Sequence, residues 1–251
     1  MSRPSWDLRI ARAGELAAAN PAAAPLLRFY QQTAEAQREL YREFENGQRE
    51  GIEEKFPAFL DGVALGAPPE LAHHAAALRN AEPAELKELL EAGMEGLRPA
   101  RRFRPADFLA RAFLQPWAEA AFPLPGAEKW DLASMCPCCG REPQAAVLCE
   151  EQYGVRRSLV CCFCQWEWEF RRTLCPACAE DQSEKLPLFR APDFPAVRVE
   201  ACDTCQAYVL AIDVTCDPRA VPAVDDLAAL PLHLWASEQG YHLLAPHWLR
   251  Q

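Results

Sequence analysis

The sequence predicts an α+β protein: an N-terminal helical domain, two tandem zinc-ribbon or rubredoxin-like β modules, and a C-terminal helix. Three observations carry that expectation. All twelve cysteines fall between Cys136 and Cys216, and the first 130 residues hold none. Upstream, apolar residues recur at helical spacing. From Cys136 onward that period gives way to short alternating runs bounded by turn residues. The expected division is 1–130 for the helical domain, 131–174 and 175–216 for the two four-cysteine modules, and 217–251 for the C-terminal helix and tail, with the main boundary near Pro123 to Asp131.

The elements follow in order. Met1 to Asn20 alternates charge and alanine and has no apolar core of signal-peptide type. Nowhere does a run of about 18 apolar residues occur, so the expectation is a soluble, cytoplasmic protein without membrane insertion. Pro25 to Glu45 places Leu26, Tyr30, Thr33, Gln37, Leu40 and Phe44 on one helical face. Pro83 opens a helix carrying Leu86, Leu89, Leu90 and Leu97, and Pro105 opens another carrying Phe108, Leu109, Ala112 and Phe113. Pro116 is expected to end or kink the latter. His73 and His74 are adjacent, hence about 100° apart on a helix, and read as surface residues rather than ligands to one metal. Arg98, Arg101, Arg102 and Arg104 read as solvated charge ahead of a helix.

Beyond Cys136, Ala145 to Cys149 and Val155 to Val160 form a predicted hairpin about Gly154, and Trp166 to Arg172 alternates like a half-buried strand. Leu186 to Arg190, Val197 to Ala201 and Tyr208 to Val214 repeat the arrangement. Asp225 and Asp226 then precede Leu227, Leu230, Leu234 and Trp235, a helix with acidic residues favouring its N-terminus and Gly240 past its end.

Four Cys-x-x-Cys pairs are the ligand candidates: Cys136 and Cys139, Cys161 and Cys164, Cys175 and Cys178, Cys202 and Cys205. Without a secretory context, so many cysteines point to metal ligation rather than to disulfides. Such a turn sets two thiolates on one side of a tight loop, and two turns enclose a divalent ion in four sulfurs, the closed geometry of a structural site. An internal repeat suggests which pairs combine. The gaps between first and second and between third and fourth pairs are 21 and 23 residues, each one hairpin long, whereas only ten separate the second from the third. Sequential pairing, and two metal ions, are therefore favoured. Cys138 and Cys162 lie inside or beside knuckles, and Cys149 and Cys216 read as small buried hydrophobes.

The chain carries a formal charge of −10 and a pI near 5.1. From 131 to 216 there are eight Lys or Arg against thirteen Asp or Glu, −5 in all, and two dications in eight thiolates add about −4 more. A nucleic-acid backbone would be repelled, so Trp166, Trp168 and Phe170 are read as ribbon core rather than as base-stacking residues.

Several strings together resemble the formate dehydrogenase accessory protein FdhE family: the CPCCG knuckle at Cys136–Gly140, the run from Cys161 to Cys178 containing Trp166, Trp168, Arg171 and Arg172, the segment Val199–Leu210, and Asp225-Asp226 ahead of Gly240-Tyr241. The resemblance covers about the C-terminal 115 residues. It implies a cytoplasmic, non-catalytic factor required for active formate dehydrogenase, which contacts that enzyme's catalytic subunit, and it implies iron in the sites formed by the eight named cysteines. Spacing alone admits zinc equally, because both metals accept four thiolates. The competing reading is a rubredoxin-like one-electron carrier with two Fe(Cys)4 sites. A thiol enzyme is disfavoured because no knuckle opens a thioredoxin-type helix, and no catalytic triad, P-loop or dinucleotide fingerprint is present.

Overall fold

The computed structural model describes residues 4–45, 51–95, 104–122, 133–152 and 154–245. The expected boundary at Pro123 to Asp131 and the residues Arg98, Arg101 and Arg102 lie outside them; Arg104 lies within, where its side chain pairs with Asp107 at a helix start. Six helices come first: α1 Trp6–Ala19, α2 Ala24–Glu45, α3 Ile52–Ala64, α4 Pro69–Arg79, α5 Pro83–Glu95 and α6 Pro105–Ala121. Strands β1 Pro143–Glu151, β2 Gly154–Cys161, β3 Glu167–Glu169, β4 Leu188–Arg190, β5 Val197–Ala201 and β6 Ala207–Asp213 follow, then α7 Pro222–Ala228, α8 Leu230–Glu238 and β7 His242–Leu243. None of the described helices is long and apolar enough to cross a membrane.

Helix α1 starts at Ser5, whose hydroxyl accepts the Leu8 amide. Its buried stripe is Trp6, Arg9, Ala13 and Ala17, with Arg12 alongside. Two arginines on an inward face are tolerated because each has a fixed partner. Arg9 makes a two-pronged bond to Glu119 of α6 at 2.7 and 2.9 Å. Arg12 donates to both oxygens of Asp225 at 3.1 and 2.5 Å and to Asp217 at 2.7 Å.

Pro116 does not end α6, which continues to Ala121. A proline removes the amide that would bond the carbonyl four residues back, here Ala112. That carbonyl instead accepts Gln37 Nε2 from α2 at 2.6 Å, so the orphaned acceptor is satisfied across the helix pair and the helix runs on.

The strands form one sheet in the order β3-β2-β1-β6-β5-β4, with β7 also on β6. Each half of the cysteine repeat supplies three antiparallel strands, and the halves join by the parallel pairing of Ala145–Leu148 with Leu210–Asp213. The joint is apolar on both sides. Ala145, Val199, Tyr208, Leu210 and Ile212 belong to one core with Leu232 and Ala236 of α8. Ala146, Leu148, Val209 and Ala211 belong to the main core with Phe108, Leu109 and Phe113 of α6. Strands buried on both faces read as continuous apolar runs, as β1 and β6 do.

Two further expectations are corrected. The strand after Trp166 is confined to Glu167–Glu169. The single helix at Asp225 is two, broken at Ala229, and both aspartates are buried rather than solvated near a helix start. They stay inside because Arg12 holds Asp225, while Gln144 and His233 face Asp226.

Candidate metal centres

The four knuckles share one backbone. The amide of each leading cysteine donates to a carbonyl five residues on, from Cys136 to Arg141, Cys161 to Trp166, Cys175 to Glu180 and Cys202 to Ala207, at 2.8 to 2.9 Å. The amide of the residue after the second cysteine turns back to the leading cysteine's carbonyl from Gly140, Ala179 and Gln206. That residue is left-handed in every knuckle, with φ of 71°, 55°, 60° and 60° at Gly140, Gln165, Ala179 and Gln206. The turn aims amides at sulfur: Phe163 N reaches Cys161 Sγ at 3.3 Å and Ala177 N reaches Cys175 Sγ at 3.4 Å. Such donors offset thiolate charge.

The structure brings Cys136, Cys139, Cys161 and Cys164 into one group and Cys175, Cys178, Cys202 and Cys205 into another, the sulfurs of each lying within 4.8 Å of one another. The closest pairs are 3.6 and 3.4 Å in the first group and 3.7 and 3.7 Å in the second. A tetrahedron with metal–sulfur bonds of about 2.3 Å has edges of about 3.8 Å. Both groups therefore fit a four-thiolate ion, and the two can hold two metal ions.

Without a cation the four sulfurs compete for protons. Hydrogen bonds from Cys139, then Cys161 and Cys164, pull Cys136 far below the ordinary thiol range. Burial, then hydrogen bonding to Cys136 and its neighbours, pushes Cys161 far above it. Cys136 and Cys139 are shifted toward the thiolate while Cys161 and Cys164 are shifted toward the thiol; a dication at the centre favours the thiolate at all four.

Surroundings separate the sites. Around the first, Arg141 lies over the Phe163 ring at 4.8 Å and donates to the carbonyls of Gly93 and Met94 at the end of α5. Arg111 of α6 donates to Cys162 O at 2.9 Å, and Trp168 Nε1 to Ala133 O at 2.8 Å. Around the second the ties are surface groups. Glu180 accepts from Thr204 at 2.6 Å and pairs with Lys185, and the Thr204 bond first, then the Gln182 amide, hold its carboxyl down at about 2. Tyr241 donates to Asp203 at 2.6 Å.

Sequence reasoning missed a buried polar chain joining the sites. Gln165, beside the second knuckle, donates to Cys161 O and to Gln144 on β1; Gln144 donates to Asp226 of α7 at 3.2 Å. Asp226 faces His233 Nε2 at 3.2 Å, and His233 Nδ1 meets the Tyr208 hydroxyl at 2.9 Å, three residues past Cys205. The adjacent Asp225 and Asp226 were the available signal, but their partners are far along the chain. Cys162 is buried, Cys138 and Cys149 are half-buried, and Cys216 is exposed rather than buried. His73 is exposed and His74 half-buried on α4, away from both groups. Trp168 and Phe170 are core residues.

Residues 174–249 match the family model for the FdhE C-terminal domain. The chain is similar to a protein FdhE homolog of Aquifex aeolicus, 32% identical over 115 residues that make up 45% of this chain and 40% of that protein. It is also similar to protein FdhE of Escherichia coli K12, 33% identical over 143 residues, 54% of this chain and 45% of that one. The match thus spans less than half the length of these curated relatives. A crystal structure of the FdhE protein from Pseudomonas aeruginosa superposes over 99% of this chain and 97% of its own, with a TM-score of 0.70 and 26% identity.

Proposed function

From its likeness to FdhE proteins, we propose that the chain is a non-catalytic accessory factor for formate dehydrogenase, binding that enzyme's catalytic subunit in the cytoplasm. The observation that carries the proposal is the full-length likeness to an FdhE structure, which extends over the helical region as well as the cysteine-rich sheet. The site chemistry supports it. Four sulfurs per group leave no coordination position for water or substrate, so a metal there cannot act as a three-ligand catalytic site does. When bound, iron or zinc fixes the ribbon's shape, and iron also offers one-electron chemistry; the family resemblance favours iron. The ligands are Cys136, Cys139, Cys161 and Cys164 for one ion and Cys175, Cys178, Cys202 and Cys205 for the other.

One observation keeps the electron-carrier reading in view: Cys178 is exposed, so an electron could reach the second site directly. A strain lacking this protein separates the two. On complementation with the native chain, formate-dependent dye reduction should return and the catalytic subunit should co-purify. Normal formate oxidation without the protein, together with no co-purifying subunit, sinks the accessory reading. Metal analysis and an optical spectrum then decide the ion, because ferric thiolate sites are red and zinc sites colourless.

A further inference from the structure

A cavity of about 390 Å³ opens beside the second four-cysteine group, within the size range of ligand-binding pockets. Its apolar walls come mainly from the second module: Leu174 and Pro176 around the third knuckle, Leu186 and Leu188 at strand β4, and Val209 on β6, with Leu244 after β7. Leu188 is 55% exposed, an aliphatic side chain presented at the edge of the sheet. The charged residues among the lining are Arg157, Arg172, Arg198 and Glu200. Glu200 gives one oxygen to Arg157 at 2.8 Å and the other to Arg198 at 2.6 Å, so one guanidinium charge in the floor is unbalanced and Arg172 adds a second. Cys175 and Cys202 line the same cavity, and four thiolates around a dication carry about −2, so the lining is near neutral overall, a local relief in a chain of net charge −10. Arg157 and Arg172 also line an adjoining depression of about 710 Å³ beside β2 and β3, a mostly polar surface in which Arg156 and Arg171 stand with Glu151 and Glu169.

We propose that this groove binds an extended segment of a partner protein in which apolar side chains alternate with carboxylates. The apolar side chain fills the cavity between Leu188 and Leu244, and a neighbouring carboxylate meets Arg172 at the rim. The net charge of −10 disfavours carboxylates on the average surface, whereas here Arg157, Arg172 and Arg198 outnumber Glu200 and Arg172 is exposed, so this is a face on which a carboxylate finds a cationic partner. On the reading above the segment belongs to the catalytic subunit. The chemistry of the groove is independent of that assignment.

The test uses the full-length, metal-loaded chain and two short labelled peptides, one alternating leucine with aspartate and one alternating leucine with lysine, followed by fluorescence anisotropy. The aspartate peptide should bind at least about tenfold more tightly than the lysine peptide, and more weakly as salt rises. Arg172→Glu and Leu188→Glu, both at exposed positions, should each cost about tenfold or more, whereas Leu8→Glu, an equally exposed leucine on α1 outside the groove, should not. Equal binding of the two peptides, or unchanged binding by Arg172→Glu and Leu188→Glu, overturns the proposal; the arginines then serve only to offset nearby thiolate charge. Co-purification of the catalytic subunit with the native chain is read alongside. If peptide selectivity holds but the subunit is not retained, the accessory function fails and the groove stands. Retention of the subunit without peptide selectivity has the opposite meaning.

Discussion

The two four-cysteine groups share a motif, a knuckle backbone and a sulfur spacing, yet their surroundings differ. In the first, Cys136, Cys161 and Cys164 are buried and belong to the main core with α6, and its knuckles are tied to α5 and α6 by Arg141 and Arg111. In the second, Cys175 and Cys202 are buried but Cys178 is exposed and Cys205 half-buried, and the surrounding bonds are made by Glu180, Lys185, Asp203 and Tyr241 near solvent. A Cys-x-x-Cys motif sets local geometry, while the elements packed on it would decide how tightly an ion held there is kept. The first group lies within the main core, whereas the second presents Cys178 to solvent.

The largest expected effect follows from that contrast. Metal binding in small ribbon modules contributes on the order of 10 kcal/mol to folding, and around the first group that energy is shared with the core. Cys161→Ser should therefore abolish the cooperative thermal transition and the near-ultraviolet circular dichroism of the whole chain. Cys178→Ser should lose one metal ion and leave most of the global transition in place. Equal damage from the two would break the comparison.

A difference in rate should accompany it. Under a metal chelator with an alkylating reagent present, mass spectrometry of digested samples should find Cys178 and Cys205 modified first, at least about tenfold ahead of Cys161 and Cys164, since local opening near solvent needs less free energy than opening the core. Simultaneous labelling of all eight would mean that the helical cover does not protect the first group.

How much of this was legible in the sequence depends on the separation of the interacting residues. The knuckles, both hairpins and helices α2, α5 and α6 are local patterns, and their signals lie within a few tens of residues. Helix α1 was hidden because its inward face carries Arg9 and Arg12, whose partners lie 110 and 213 positions away. The burial of Asp225 and Asp226 was hidden for the same reason. Pro116 read as a stop or a kink, because nothing near it says that Gln37 will supply the missing donor. The parallel joint between β1 and β6 also has no local signature, for either strand reads equally well as the edge of a separate module.

Gln37 offers a way to sharpen the comparison at a moderate magnitude. Gln37→Leu leaves the buried Ala112 carbonyl without its donor, which should cost about 1–3 kcal/mol in denaturant unfolding. Because α6 covers the first group, the same change should speed metal loss there while leaving the second group's rate unchanged. Acceleration at both sites alike would show that α6 acts on the molecule as a whole rather than on its own neighbour.

The smallest effects test the knuckle backbone itself, where the two groups are most alike. The residue after each second cysteine is left-handed, a conformation that costs an L-residue about 1–2 kcal/mol, whereas glycine gives up about 0.4–1 kcal/mol through the entropy of the unfolded chain. At Ala179, whose side chain is a lone methyl group, the strain term wins, so Ala179→Gly should raise the stability of the second group by up to about 1 kcal/mol. Gly140→Ala runs the same exchange backwards; its added methyl meets no atom within 4 Å, so the loss should stay near about 1 kcal/mol and the fold should survive. Gln165 occupies the same backbone position, but its amide donates to Cys161 O and Gln144 inside the first group. Gln165→Gly should therefore destabilise despite relieving strain, because a buried acceptor loses its donor at about 1–3 kcal/mol. Opposite signs for Ala179→Gly and Gln165→Gly, measured as shifts in the midpoint of metal-loaded unfolding, would show that context outweighs motif even within one turn; equal signs would place the difference between the two groups wholly in the elements that cover them.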